Sequence, residues 1–205
     1  METDGFQRIP TTAVADALQG LNTMDTSIKP LKPESYVYGK ALTVKLADAD
    51  NFLLLQAISQ AKGGEVLVVD GRGDQHHAVA GDFVVAMAKT MGLRGVVADG
   101  VIRDIQAINR LEFPVFCKGS TIAASQKHGR GETNVPISCG GVAVRPGDIV
   151  VGDADGVIII PQEVEEQTVN AAKQKIVADE KRYESIVGNV EAVKNYINSL
   201  TNSHK

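Results

Sequence analysis

Two short apolar runs rich in β-branched residues, 65–70 (EVLVVD) and 95–99 (GVVAD), enclose residues 82–91, where Val84, Val85, Ala88 and Met91 recur at helical spacing. Each run is closed by a glycine, Gly71 or Gly100, and Gly92 stands where the helix should end. A strand, a helix and a second strand in this order form a βαβ unit. Its right-handed crossover forces the two strands to lie parallel in one sheet with both faces covered. The chain is therefore expected to be an α/β protein.

The flanking segments extend this pattern. Thr11 or Thr12 is placed to cap a short helix that turns Val14, Ala17 and Leu18 inward, and residues 27–35, with Pro30 and Pro33, read as an irregular connector. Residues 36–46 suit a strand interrupted near Gly39, and residues 51–62 a helix. After a short helix at 105–109, residues 115–116, 141–144, 149–151 and 156–160 read as four short strands. Arg145-Pro146-Gly147-Asp148 is a hairpin turn or sharp corner, and Asp153-Ala154-Asp155-Gly156 repeats that chemistry. From Pro161 onward a long polar helix is expected, forming a C-terminal extension (161–205) of a single domain spanning 1–205.

Composition narrows the function classes. A chain of 205 residues that is 43% hydrophobic can bury one substantial core. Its 21 Lys and Arg are dispersed among 25 acidic residues, so it has no basic stripe for nucleic acid. Cys117 and Cys139 lack metal-ligand spacing and read as reduced, buried thiols. Residues 1–10 lack a basic and apolar leader, and no run approaches the ~20 apolar residues of a membrane span, so a cytoplasmic protein is expected.

The chemistry concentrates in two neighbouring motifs. Gly81-Asp82-Phe83-Val84 stands where a loop enters a helix, so its N–H groups can face an anion with the helix dipole behind them; as ordinary structure, Asp82 is simply an N-cap. Arg103 follows Val101-Ile102 at the C-terminal edge of a strand, the usual ligand edge of a parallel sheet. Its planar fork suits a carboxylate with an adjacent oxo group, and a structural Arg103–Asp104 ion pair is the alternative. Asp104, with waters and substrate oxygens, suffices for Mg²⁺.

Other signals point nowhere further. His76-His77 point apart on regular backbone and lack a third ligand, and Arg72-Gly73-Asp74 reads as a turn. Walker, dinucleotide and GxSxG motifs are absent. Lys118 and Lys127 read as solvated charges in a Gly/Ser-rich loop rather than Schiff-base lysines.

Gly81-Asp82-Phe83-Val84 together with residues 92–104 (GLRGVVADGVIRD) resembles the RraA-like family, which includes 4-hydroxy-4-methyl-2-oxoglutarate aldolases. The likeness runs from about Thr11 through Gly140-Gly141-Val142 and Pro146-Gly147-Asp148 to Asp155-Gly156-Val157. It implies a compact α/β/β/α sandwich of the swivelling type with a mixed sheet, assembled as a homotrimer or hexamer with pockets at subunit interfaces. It also implies substrate binding by Gly81, Asp82, Phe83, Val84 and Arg103, catalysis by Asp82 and Arg103, and a divalent cation, Mg²⁺ or Mn²⁺, at Asp104. Glu180 is the nearest match to an acidic residue reaching a neighbouring subunit's site, although a solvated helix face explains it equally well.

The implied activity is a class II, metal-dependent pyruvate aldolase acting on 4-hydroxy-4-methyl-2-oxoglutarate or related 4-hydroxy-2-oxo dicarboxylates, with oxaloacetate decarboxylase side activity. The family's ribonuclease-inhibitor branch lacks the carboxylate after the arginine. Retention of Asp104 therefore favours the lyase over a non-enzymatic regulator of ribonuclease activity.

Overall fold

A computed structural model describes residues 8–202. The leader expectation concerns residues 1–10, of which 1–7 lie outside the described residues, as do 203–205. In chain order the elements are α1 (Thr11–Ala17), β1 (Lys29–Pro30), β2 (Val37–Leu46), α2 (Phe52–Ser59), β3 (Glu65–Asp74), α3 (Asp82–Thr90), β4 (Gly95–Ile102) and α4 (Ile105–Arg110). There follow β5 (Val115–Cys117), β6 (Gly119–Ser120), β7 (Gly131–Thr133), β8 (Ile137–Cys139), β9 (Val142–Val144), β10 (Ile149–Asp153) and β11 (Gly156–Ile160). A 3-10 turn, Gln162–Val164, then leads into α5 (Glu165–Ile186) and α6 (Val190–Asn202).

The βαβ reading holds: β2, β3, β4 and β5 are parallel neighbours, and β4 is buried at every position. The sheet runs β1-β5-β4-β3-β2-β10-β11, with β1, β10 and β11 antiparallel, and is therefore mixed. It curls so far that a Cβ on Gly152 of β10 would lie 2.9 Å from the ring of Phe116 on β5. Glycine is required there because two β layers meet face to face.

Between those layers Val66, Val68, Val97 and Phe116 pack against Val150, Val157 and Ile159, with the β8–β9 hairpin closing one side. Outside one layer, Leu54, Ile58, Val85, Ala88 and Ile108 of α2, α3 and α4 cover Leu67, Val69 and Val96. Outside the other, Val14 of α1 and Ala172 of α5 cover Ile149, Val151 and Ile158. This is the expected α/β/β/α arrangement. At about 1.5–3 kcal/mol per fully buried aliphatic side chain, these three clusters dominate the stability.

Several local expectations are corrected. The first helix begins at Thr11 with Pro10 at its N-cap, and Thr11 instead donates its N–H and Oγ1 to the Asp153 carboxylate. β2 runs unbroken through Gly39, whose missing side chain admits the carbonyl of Gly64 rather than a kink. β3 and β4 continue past Gly71 and Gly100. Arg72-Gly73 takes positive φ and shifts the register between Val69 and Asp74, but the strand then resumes.

Residues 145–148 form a corner rather than a hairpin, since β9 pairs with β8 and β10 pairs with β2 and β11. The long terminal helix is broken between Ile186 and Val190, where Gly188 has φ of 91°. The two-residue and three-residue strands β1, β6, β7 and β8 were not anticipated; they are too short to show a period. Among the described residues no helix is long and apolar enough to cross a membrane.

Candidate functional site

The C-terminal end of β4 delivers Arg103, whose N–H bonds to the Ala80 carbonyl, so the segments before α3 and after β4 are stitched together. The two motifs, separated in sequence, thus meet around one cavity of about 210 Å³. Its lining includes Gly81, Asp82, Phe83, Val84, Arg103 and Asp104. All six residues expected at the site come together.

Gly81, not Asp82, is the N-cap of α3; it is extended (φ −123°, ψ −174°), and no side chain caps the helix. Its φ is open to any residue, so the need for glycine is steric. A Cβ on Gly81 would sit 2.5 Å from Asp104 Oδ2, 3.1 Å from Arg103 Nε and 3.2 Å from Arg103 Cγ. Asp82 opens the helix, and its Oδ1 accepts the N–H of Phe83 at 2.7 Å. With the Phe83 N–H taken by Asp82, the first-turn N–H groups of Asp82 and Val84 have no acceptor one turn back, and both residues line the cavity, where the dipole favours an anion.

Asp104 adopts left-handed backbone (φ 61°, ψ 37°) at the N-cap of α4, yet its carboxylate makes no capping bond. Asp tolerates this conformation at a cost of about 1 kcal/mol, and an unused cap forgoes roughly another. The carboxylate instead turns to Arg103, with Nε–Oδ2 at 3.3 Å and the two side chains 43% and 40% exposed. So exposed a pair contributes about 0–1 kcal/mol, which does not offset those two costs. A strained, uncapped aspartate with a half-open carboxylate suits a ligand site.

The residues also fit a divalent cation. Asp104 presents an exposed carboxylate above the space that glycine leaves at 81, and Asp82 lines the same hollow. Among the described residues no group of three His, Cys, Asp or Glu could hold a metal unaided. One or two carboxylates completed by water and substrate match Mg²⁺ or Mn²⁺, not a zinc cage. His77 instead places Nδ1 3.1 Å from Asp74 Oδ2.

The far wall was not anticipated: Asn51, Ala78, Ala124, Ser125 and Lys127 complete the lining together with Ala80. Backbone bonds join Asn51 N–H to Gln126 O, Gln126 N–H to Ala49 O, and Ala78 N–H to Ala123 O. Asp50, 1% exposed, fastens this loop by accepting the N–H groups of Phe52, His128 and Arg130. Burial pushes the Asp50 carboxyl up, but these donors outweigh it and hold the group below its usual range.

Lys127 is exposed as expected, but Lys118 is not a solvated charge: its Nζ lies 2.6 Å from Asp99 Oδ1, with the side chains 19% and 12% exposed. The approach is close but poorly directed, so charge rather than a well-formed hydrogen bond joins them. Lys118 lies outside the cavity lining. Cys117 and Cys139 are buried free thiols, and burial pushes both up, Cys139 far above the usual thiol range.

Comparison with known proteins places these features in context. The family model described as RraA-like, aldolase/RraA, matches residues 11–159. A protein of Halalkalibacterium halodurans named "Putative 4-hydroxy-4-methyl-2-oxoglutarate aldolase" is 51% identical over 195 residues, covering 95% of this chain and 93% of that one. An uncharacterized protein from Pseudomonas syringae has a solved structure with a TM-score of 0.82 and 27% identity, covering 92% of this chain and 90% of its own. The RNA-processing inhibitor RraA from Thermus thermophilis gives a TM-score of 0.70 and 28% identity, over 76% and 94% of the respective chains.

Proposed function

The chain belongs to the RraA-like family, and from that premise we propose that it is a pyruvate-forming carbon–carbon lyase. It would cleave 4-hydroxy-4-methyl-2-oxoglutarate or a related 4-hydroxy-2-oxo dicarboxylate, and decarboxylate oxaloacetate as a side activity. The observation that carries the proposal is the meeting of Arg103, Asp104 and the first turn of α3 across the gap left by Gly81.

The 2-oxo acid end of the substrate presents only acceptors, and this corner of the cavity presents donors. Arg103 spans the carboxylate and 2-oxo oxygens with its fork, while the N–H groups of Asp82 and Val84 hold the carboxylate. Asp104, aided by Asp82 through water, would hold Mg²⁺ or Mn²⁺, which when bound supplies an electrophile that draws charge from the 2-oxo carbon. Asp82, acting through water, takes the 4-hydroxyl proton. The C3–C4 bond then breaks, C4 becomes a carbonyl, and the electron pair passes through C3 to the 2-oxo oxygen, where Arg103 stabilises it. Return of the proton to C3 gives the methyl group of pyruvate.

In oxaloacetate the same electron flow is released by loss of CO₂, so no 4-hydroxyl proton need be removed. Phe83, 74% exposed at the cavity, supports coverage of the mouth by another copy of the chain in a homotrimer or hexamer. The likeness to the Thermus inhibitor supports a second reading, a non-catalytic regulator of RNA processing. One assay separates the two. Purified protein incubated with oxaloacetate and Mg²⁺ should release pyruvate well above the rate of free Mg²⁺ and stop on chelation; background rates would support the regulator.

A further inference from the structure

Residues 78–80 run beneath the cavity between two neighbouring segments. The Ala78 N–H bonds the Ala123 carbonyl on one side, and the Val79 N–H bonds the Val101 carbonyl on the other. One neighbour leads to Arg103 and the other to Lys127, and both residues line the cavity. Paired chains lie about 4.8 Å apart, so these two stand roughly 10 Å from each other. Two cations therefore approach one hollow from opposite sides.

The backbone on either side of Lys127 is pinned. Gln126 bonds Ala49 through its N–H and Asn51 through its carbonyl, and the His128 N–H goes to Asp50 Oδ2. The Lys127 ammonium, by contrast, has no hydrogen-bond or ion-pair partner among the described residues. Its polar neighbours on that wall are engaged with backbone: Ser125 Oγ donates to the Ala78 carbonyl and Asn51 Nδ2 to the Val79 carbonyl. Other cations of these loops are spent, Arg72 on Asp48 and Lys118 on Asp99. Among the described residues, Lys127 is the far wall's one charged donor still open to a ligand.

Charge balance says what that ligand carries. The charged side chains of the described lining, Asp82, Arg103, Asp104 and Lys127, sum to zero, so a divalent cation at Asp104 would leave two positive charges in surplus. A dicarboxylate cancels that surplus, and a monocarboxylate cancels half of it.

On the lyase reading developed above, Arg103 and the N–H groups of Asp82 and Val84 take the pyruvate-forming end of the substrate. We propose that Lys127 binds the second carboxylate, at the far end of the acid, and so selects 2-oxo dicarboxylates over 2-oxo monocarboxylates. In aldol cleavage that carboxylate keeps its charge throughout, so Lys127 binds ground state and transition state alike and acts on KM. In oxaloacetate it is the group that leaves as CO₂ and loses its charge, so the same contact holds kcat back.

The test is calorimetry in Mg²⁺ with 2-oxoglutarate and with 2-oxopentanoate, which carries a methyl group in place of the second carboxylate. It uses the wild type, Lys127→Gln and Lys127→Arg, with turnover on 4-hydroxy-4-methyl-2-oxoglutarate and on oxaloacetate measured alongside. The wild type should prefer 2-oxoglutarate by about tenfold or more, Lys127→Gln should shrink the preference to within about threefold, and Lys127→Arg should keep it. Lys127→Gln should raise KM for the hydroxy acid about tenfold at unchanged kcat. For oxaloacetate it should raise KM while kcat equals or exceeds that of the wild type.

A wild type without the preference, its survival in Lys127→Gln, its loss in Lys127→Arg, or a fall in kcat on both substrates overturns the assignment. The lyase reading stands in each of those cases if the wild type releases pyruvate. A Lys127-dependent preference in a protein that turns over neither acid overturns the lyase reading and leaves Lys127 as the carboxylate contact.

Discussion

Gly81→Ala is the sharpest small perturbation the structure offers. The new methyl meets no backbone strain, since φ −123° and ψ −174° are open to alanine. It would, however, lie 2.5 Å from Asp104 Oδ2, where ordinary contact begins near 3.4 Å, so the carboxylate must retreat by about 0.9 Å and Arg103 must give with it. Removing glycine from the unfolded chain stabilises the protein by about 0.4–1 kcal/mol, and an off-rotamer aspartate costs about 0.5–1.5 kcal/mol. Thermal stability should therefore change by no more than about 4 °C. Activity is another matter, because a misplacement of about 1 Å at a reacting centre costs on the order of 100-fold. Steady-state pyruvate release from 4-hydroxy-4-methyl-2-oxoglutarate, measured with a melting curve, should show kcat/KM down about 100-fold at nearly unchanged Tm. A variant as active as the wild type would refute the claim that the space above Gly81 is where the chemistry happens.

Two further outcomes follow from the same geometry. Arg103→Lys keeps the charge but loses the planar fork, and should lower kcat/KM by about 100-fold or more with little effect on stability, because the Asp104 pair is exposed; near-normal turnover would remove Arg103 from the mechanism. Asp50 ionises more readily in the folded protein than in the unfolded chain, so its stabilising contribution is complete above the ordinary carboxylate value of about 4 and is lost as pH falls through the lower, folded value. Asp50→Asn should cost about 1–2 kcal/mol near neutrality, and denaturant titrations should show the gap to the wild type closing below pH 4; a constant gap would count against the three-donor account.

What could be read in the sequence was what is local. The runs at 65–70 and 95–99 fixed the parallel strands because β-branched clusters closed by glycine have few other uses in a chain with helical spacing between them. Gly81 to Val84 and Arg103-Asp104 could be read because each motif sits at an element boundary, and the parallel crossover brings those boundaries together. Asn51 was missed for the opposite reason. It looks like an ordinary helix cap, and only the tertiary path of residues 78–81 reveals that its carboxamide has left the helix.

Lys118 was misread similarly, since its partner Asp99 belongs to an otherwise apolar stretch of β4 and meets it only through the β5–β6 connection. Arg72-Gly73 imitates a turn and is instead an irregularity within a strand, a distinction made by the pairing of Asp74 with Gly100. The break at Gly188 was present as a glycine in the sequence, but Ile186-Val187 before it and Val190 after it continue the pattern of scattered apolar residues on a polar helix and mark no stop.

The central claim is that Asp104 gives this pocket its chemistry, and Asp104→Asn tests it with the least disturbance, because asparagine tolerates the same left-handed backbone and differs mainly in charge. The measurement is the rate of pyruvate formation from 4-hydroxy-4-methyl-2-oxoglutarate by wild type and variant, each with Mg²⁺ and with chelator. The account predicts a chelator-sensitive wild type and a folded variant slower by at least about 100-fold. A wild type indifferent to chelator, or an Asp104→Asn protein that keeps the wild-type rate, would contradict it.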